Sequence, residues 1–213
     1  MRSPRITHDC PSTSLVSYWI GRGLLTLLGW KVEGEVPTGT NFVVIAAPHT
    51  SNWDFPIGLA AAYLLRLRVN WIGKHTLFRW PYGGFMRWLG GIGVDRSNPA
   101  GIAEQMAQQL KNADRMVLAI TPDGTRGRRE YWKSGFYRIA LAAKVPIFCG
   151  ALDYRTKTVR IGLSFLPSGD ISADMAQIRA FYADVSGANP DNHTPIRLSE
   201  ELESDPTGQI QAS

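Results

Sequence analysis

The chain has 213 residues, of which 44% are apolar and 19% charged, and carries a net charge of +5. That length supports one domain with a sizeable core, and that composition excludes wholesale disorder. Two cysteines, Cys10 and Cys149, are too few for a disulfide framework or a zinc site, and they suit a reducing cytoplasm.

Residues 1–14 are polar and are expected to be disordered. Residues 15–30 are apolar but too short for a membrane span, and Arg22 and three glycines interrupt them. They also lack the basic lead and cleavage site of a signal peptide. Val16, Ile20, Leu24, Leu27 and Leu28 can share one helical face. Two readings stand for this helix: docked on the core, or lying in a membrane interface with Trp19 and Trp30 at headgroup level. Short β-branched runs predict strands at 41–47, 69–73, 116–121, 145–151 and 159–165, with a fragment at 93–94. Helices are expected over 55–66, 99–111, 133–143 and 173–186. Residues 78–91, rich in aromatics, arginines and glycines, read as a loop plus a short helix. Residues 189–213 are acidic and read as a loose tail. Strands alternating with helices predict an α/β fold, a mixed central sheet flanked by helices, in one domain over residues 15–188.

Charge is unevenly spread. Residues 1–60 balance to zero, residues 61–140 hold thirteen basic and five acidic groups, and residues 141–213 hold six and nine. The middle third points toward an anionic partner or is a solvated basic face.

Three constellations carry candidate chemistry. The first, Pro48-His49-Thr50-Ser51-Asn52-Trp53-Asp54, follows a strand and precedes a helix. On one continuous helix, positions five apart would lie about 140° from each other. With His49 on the loop and Asp54 opening the helix, the carboxylate can fold onto the imidazole and leave its other nitrogen as a base. The bland reading is a helix-capping Asp54 beside an incidental His49. The second, Gly90 to Arg96, leads flexible backbone into a guanidinium suited to phosphate, or is a turn with a surface Asp95–Arg96 pair. The third, Thr121-Pro122-Asp123-Gly124-Thr125-Arg126-Gly127-Arg128-Arg129, offers glycines and arginines to an anion, or is a basic surface turn. It lacks the P-loop spacing.

In order and spacing these pieces resemble the glycerolipid acyltransferases, typified by lysophosphatidic acid acyltransferase. That family shows His-x4-Asp, a Gly-x-Ile-Phe-Ile-x-Arg-like block, Phe-Pro-Glu-Gly-Thr-Arg and Val-Pro-Ile-x-Pro. Here they read His49 and Asp54, Gly90 to Arg96, Pro122 to Arg126, and Val145-Pro146-Ile147, over residues 40–150. Gly93, Thr121, Asp123 and Cys149 stand where the family has an aromatic, Phe, Glu and Pro.

The resemblance implies a glycerol-3-phosphate acyltransferase-like fold. It also implies transfer of a fatty acyl group from acyl-CoA or acyl carrier protein to a lyso-lipid hydroxyl, 1-acyl-sn-glycerol-3-phosphate foremost. A lyso-aminolipid or glycolipid is the alternative acceptor. His49 would be the base and Asp54 its orienter. Arg96, Gly124, Thr125 and Arg126 would hold the acceptor's phosphate, and Asp123 its glycerol hydroxyls. Val145 to Ile147 would be a core strand. No metal, no cofactor besides the thioester co-substrate and no acyl-cysteine are implied. The protein would sit peripherally on the cytoplasmic face of the cell membrane. There Trp80, Tyr82, Phe85 and Trp88 with Arg79 and Arg87 would meet an anionic surface; otherwise they are a core edge with surface arginines. His75 and His193 have no carboxylate in comparable spacing and read as structural or surface groups.

Rival readings explain less. A nucleic-acid-binding domain would leave the His49–Asp54 spacing idle, and no nucleic-acid motif is present. An esterase would want G-x-S-x-G. A non-catalytic lipid-binding relative would bind the thioester without turnover.

Overall fold

The computed structural model describes residues 11–36, 39–95 and 99–204. Its strands are β1 (Lys31–Glu33), β2 (Asn41–Ala47), β3 (Asn70–Lys74), β4 (Gly91–Val94), β5 (Met116–Ile120), β6 (Ile147–Asp153) and β7 (Thr158–Phe165). They form one sheet in the order β1-β7-β6-β2-β5-β3-β4. Every neighbouring pair is parallel except β6 with β7. This is the mixed α/β sheet that the alternation predicts, since parallel neighbours need crossovers and helices supply them.

Strand β2 shows why the core divides. Val43, Ile45 and Ala47 point to one face and Phe42 and Val44 to the other, as the period of two requires. On the first face lie α4 (Pro99–Asn112), α5 (Gly135–Ala143) and α6 (Ile171–Tyr182). The opposite face carries α1 (Leu15–Leu28) and α2 (Asp54–Leu64). Two short helices, α3 (Gly83–Trp88) and α7 (Glu200–Ser204), complete the set.

Helix α1 starts where Ser14 accepts a hydrogen bond from Ser17 N and ends at left-handed Gly29. It packs on α2 so closely that a Cβ on Gly21 would lie 2.5 Å from Ala60 O. Its docked face is Tyr18, Gly21 and Leu25, flanked by Leu24 and Leu28. Burying Leu25 contributes about 2 kcal/mol. The single apolar face expected from the sequence is therefore split. Leu24 and Leu28 join the core, while Val16, Ile20 and Leu27 face outward with Trp19, Leu27 being 83% exposed. Trp30, expected at headgroup level, is instead buried in the cluster of α1 and α2. The helix is apolar on both sides, so packing against α2 chose the face.

Two terminal expectations need correction. Residues 1–10 lie outside the described residues, but Thr13 N donates to Arg66 O and Arg68 N to Pro11 O. Residues 189–204 are no loose tail: Leu198 and Thr194 are fully buried, Trp132 N donates to Arg197 O at 2.9 Å, and Arg179 pairs with Glu201. Acidic composition misled here because Ile196 and Leu198 have an apolar slot waiting for them. Residues 205–213 lie outside the described residues.

Candidate active site

Parallel neighbours β2 and β5 end side by side, so the loops at 48–54 and 121–126 emerge together at one sheet edge. Open α/β sheets place ligands at such carboxyl ends. Beneath the edge, the buried Tyr182 hydroxyl donates to Ile45 O and Gly150 O, tying β2 to β6.

The chain folds Asp54 back over its own loop. Oδ2 accepts from Thr50 N and Ser51 N at 2.8 Å each, and from His49 Nδ1 at 3.0 Å. An ionised carboxylate only accepts, so Nδ1 carries the proton and Nε2 is the basic nitrogen. Among the described residues nothing hydrogen-bonds Nε2, and the His49 side chain keeps 16% exposure. Asp54 Oδ1 accepts from the Tyr154 hydroxyl at 2.6 Å. Burial pushes the Asp54 carboxyl up, but its bonds from His49, Tyr154 and Ser51 outweigh this and hold it below its ordinary value. The site thus holds a carboxylate orienter, an imidazole aligned by it and a ring nitrogen left open, an arrangement that can serve a general base.

Asp123, expected on an acceptor's hydroxyls, is only 2% exposed and turned inward. Its Oδ2 accepts from His49 N at 2.9 Å, and Thr194 hydrogen-bonds it from the other side. Burial raises its carboxyl above the ordinary value, although those bonds and His193 pull the other way. Asp123 therefore holds the backbone of His49. Gly124, with φ of 65°, makes the turn that follows, and a Cβ there would meet the Lys133 side chain at 2.8 Å. Thr125 is half-buried, and Arg126 and Arg128 are exposed. Among the described residues no carboxylate pairs with either arginine. Arg96 lies outside the described residues. Gly93 is where the family block has an aromatic; a Cβ there would lie 2.7 Å from the Phe78 ring, so Phe78 fills that space from another segment.

Cys149 is fully buried with its thiol pushed up to about 12 by desolvation, which removes it as a nucleophile. Cys10 lies outside the described residues. His75 is exposed, and His193 lies half-buried beside Asp123. Val145 is buried, and Ile147 opens β6, every residue of which is buried; the segment is core.

Sequence reasoning missed three groups around the loop. Tyr154 sits just past β6, a hundred residues from its partner Asp54. Asn189 clasps Thr50, donating from N to Oγ1 at 3.1 Å and from Nδ2 to the carbonyl at 2.8 Å. Thr194 Oγ1 also accepts from Arg129 N. No local spacing announces these long-range partners.

In residues 77–88, Leu77, Trp80, Tyr82, Phe85 and Trp88 are exposed, Trp80 at 94%, with Arg79 and Arg87 exposed among them. Trp53 and Phe55, which flank Asp54, are also exposed, and Phe55 meets Trp71 edge-on. Among the described residues no helix is long and apolar enough to cross a membrane.

A 1-acyl-sn-glycerol-3-phosphate acyltransferase of Haemophilus influenzae is 30% identical over 145 residues, 64% of this chain and 59% of that protein. A protein of the same name from Streptococcus pneumoniae is 30% identical over 135 residues, 59% of this chain and 50% of that protein. The chain thus spans little more than half the length of these relatives. The crystal structure of the 1-acyl-sn-glycerophosphate (LPA) acyltransferase PlsC from Thermotoga maritima shares the fold, with a TM-score of 0.54 at 20% identity over 79% of this chain and 75% of that one. The sequence model of the acyltransferase family matches residues 30–152, which carry His49, Asp54 and the turn at Asp123 to Arg126, and so the chain belongs to the acyltransferase family.

Proposed function

We propose that this protein transfers a fatty acyl group from an acyl thioester, acyl-CoA or acyl carrier protein, to the free hydroxyl of 1-acyl-sn-glycerol-3-phosphate. The observation that carries this reading is His49 Nδ1 held at 3.0 Å by a buried Asp54, with no protein partner on Nε2 among the described residues. The names of the two 30%-identical relatives support the choice of acceptor.

His49 Nε2 takes the proton from the acceptor hydroxyl as that oxygen attacks the thioester carbonyl. The tetrahedral intermediate collapses, the carbon–sulfur bond breaks, and the imidazolium returns its proton to the leaving thiolate. Asp54 stays ionised and keeps the ring aligned. No acyl-enzyme forms. The exposed Arg126 beside Gly124 and Thr125 is suited to the acceptor's phosphate, as charge-assisted bonds from a guanidinium are strong and directional.

Both substrates are amphiphiles. The exposed rings and arginines of residues 77–88, with the outer face of α1, are suited to an anionic lipid surface, on the inner face of the cell membrane. The test is incubation of purified protein with labelled acyl-CoA or acyl carrier protein and a panel of acceptors: lysophosphatidate, glycerol 3-phosphate, a lyso-aminolipid and a glycolipid. Mass spectrometry should find diacylated phosphatidate as the main product. A different main product reassigns the acceptor; free fatty acid alone, or no turnover, overturns the transferase reading.

A further inference from the structure

We propose that Tyr154 is a positioning residue of this site: its hydroxyl sets the plane of the Asp54 carboxylate that aligns His49, and the Trp30 ring sets the hydroxyl. The inference deepens the acyl-transfer reading and rests on it.

The two oxygens of Asp54 are held unequally. Oδ2 gathers His49 Nδ1, Thr50 N and Ser51 N. A carboxylate pinned at one oxygen can still swing its plane. Oδ1 provides the second point, and among the described residues its donor is Tyr154 at 2.6 Å, a short bond of the kind made to ionised acceptors. Burial and the Asp54 charge push the phenol's pKa far above its ordinary value, so it remains a donor at every assay pH.

Two contacts seat the phenol, and its neighbour leaves the hydroxyl free for Asp54. Tyr154 N donates to Ser186 O at 2.8 Å. The neighbouring Asp153 carboxylate is taken by Thr156, Arg155 N and Ser186 N, so it does not compete for the hydroxyl. Trp30 meets the Tyr154 ring edge-on, with centroids 4.8 Å apart at 86°. Trp30 follows Gly29, the cap of α1, so the seating of that helix reaches His49 through two rings and two hydrogen bonds. The titratable groups facing this chain are His49 and Asp54 themselves, with Asp123 behind the His49 backbone.

Losing the hydroxyl leaves substrate contacts untouched and loosens the base. Tyr154→Phe should therefore lower kcat by about 10- to 100-fold with KM within about twofold. Restoring a donor with 4-aminophenylalanine at position 154 should recover most of kcat. Trp30→Leu should cost several-fold in the parent and nothing further on top of Tyr154→Phe.

All rates are measured on vesicles with lysophosphatidate and acyl-CoA and referred to folded protein, counted by circular dichroism. Tyr154→Phe with kcat within twofold of an active parent, or a loss that 4-aminophenylalanine does not recover, overturns the proposal. Full additivity of the two substitutions removes Trp30 from it. A parent whose turnover is unchanged by His49→Ala overturns the acyl-transfer reading and this inference with it.

Discussion

Residues 48–54 and residues 75–88 solve opposite problems. In the first segment the chain supplies its own partners. Asp54 collects the loop, Asp123 holds His49 N, Asn189 clasps Thr50, and Tyr154 closes the last oxygen. In the second, Trp80, Tyr82, Phe85 and Trp88 stand in the open with two arginines, although Phe78 beside them is buried. The proposed base has to be held in one geometry before substrate arrives, and its loop is rich in internal bonds. On the proposed reading, the exposed rings and arginines are left unsaturated because their partner, a lipid surface, lies outside the chain. The sharpest ways to break this contrast alter one region and ask whether the other responds.

The largest effect belongs to His49→Ala, which should reduce kcat/KM by about a thousandfold or more and leave the melting temperature nearly unchanged. Steady-state assay and calorimetry measure the two together; activity within tenfold of the parent would remove the base from the mechanism. Next is Arg126→Ala. It should raise KM for a phosphorylated acceptor by about tenfold with little change in kcat, the loss of one charge-assisted contact. A change in kcat alone would place Arg126 outside phosphate binding.

Trp80→Ser combined with Trp88→Ser tests the second region by itself. Partition onto anionic vesicles should fall about tenfold, as expected when interfacial aromatic area is removed, while turnover of a short-chain soluble donor and acceptor stays at the parent level. Equal binding by the variant would return these rings to the role of a bare surface edge.

The smallest effect concerns Asp123. Its carboxyl is raised by burial, so the folded protein binds that proton more tightly than the unfolded chain does. The ionised form therefore costs stability at neutral pH, and the cost vanishes as the pH falls through the unfolded value of 3.8. Asp123→Asn keeps an acceptor for His49 N and should melt about 2 °C higher than the parent at pH 7. The difference should close below about pH 4. A variant that melts several degrees lower at pH 7 would show the charge to be stabilising.

Much of the site was legible because its spacing is local. His49 and Asp54 fit a loop running into a helix, and the Gly124 turn follows a β-branched strand, so residue type and short-range geometry were enough. Asp123 shows where that stopped. Its position in the motif pointed to substrate, but its side chain turned inward because His49 N and Thr194 offered buried partners. Residues 189–204 failed for a related reason: composition describes a segment by itself, and this one is ordered by Trp132 and Thr50.

The sequence by itself determined the alternation of strands and helices, the pairing of His49 with Asp54, and the basic, aromatic middle of the chain. These are properties of neighbours along the backbone, where periodicity and spacing act. Only the tertiary structure decided which face of α1 meets the core, which carboxylate supports His49 from behind, and that Tyr154 and Asn189 complete the loop. Those contacts join residues far apart in sequence, 74 positions for Asp123 with His49, 100 for Tyr154 with Asp54 and 139 for Asn189 with Thr50, and these three exist only once the sheet order has brought the ends of β2, β5 and β6 to one edge.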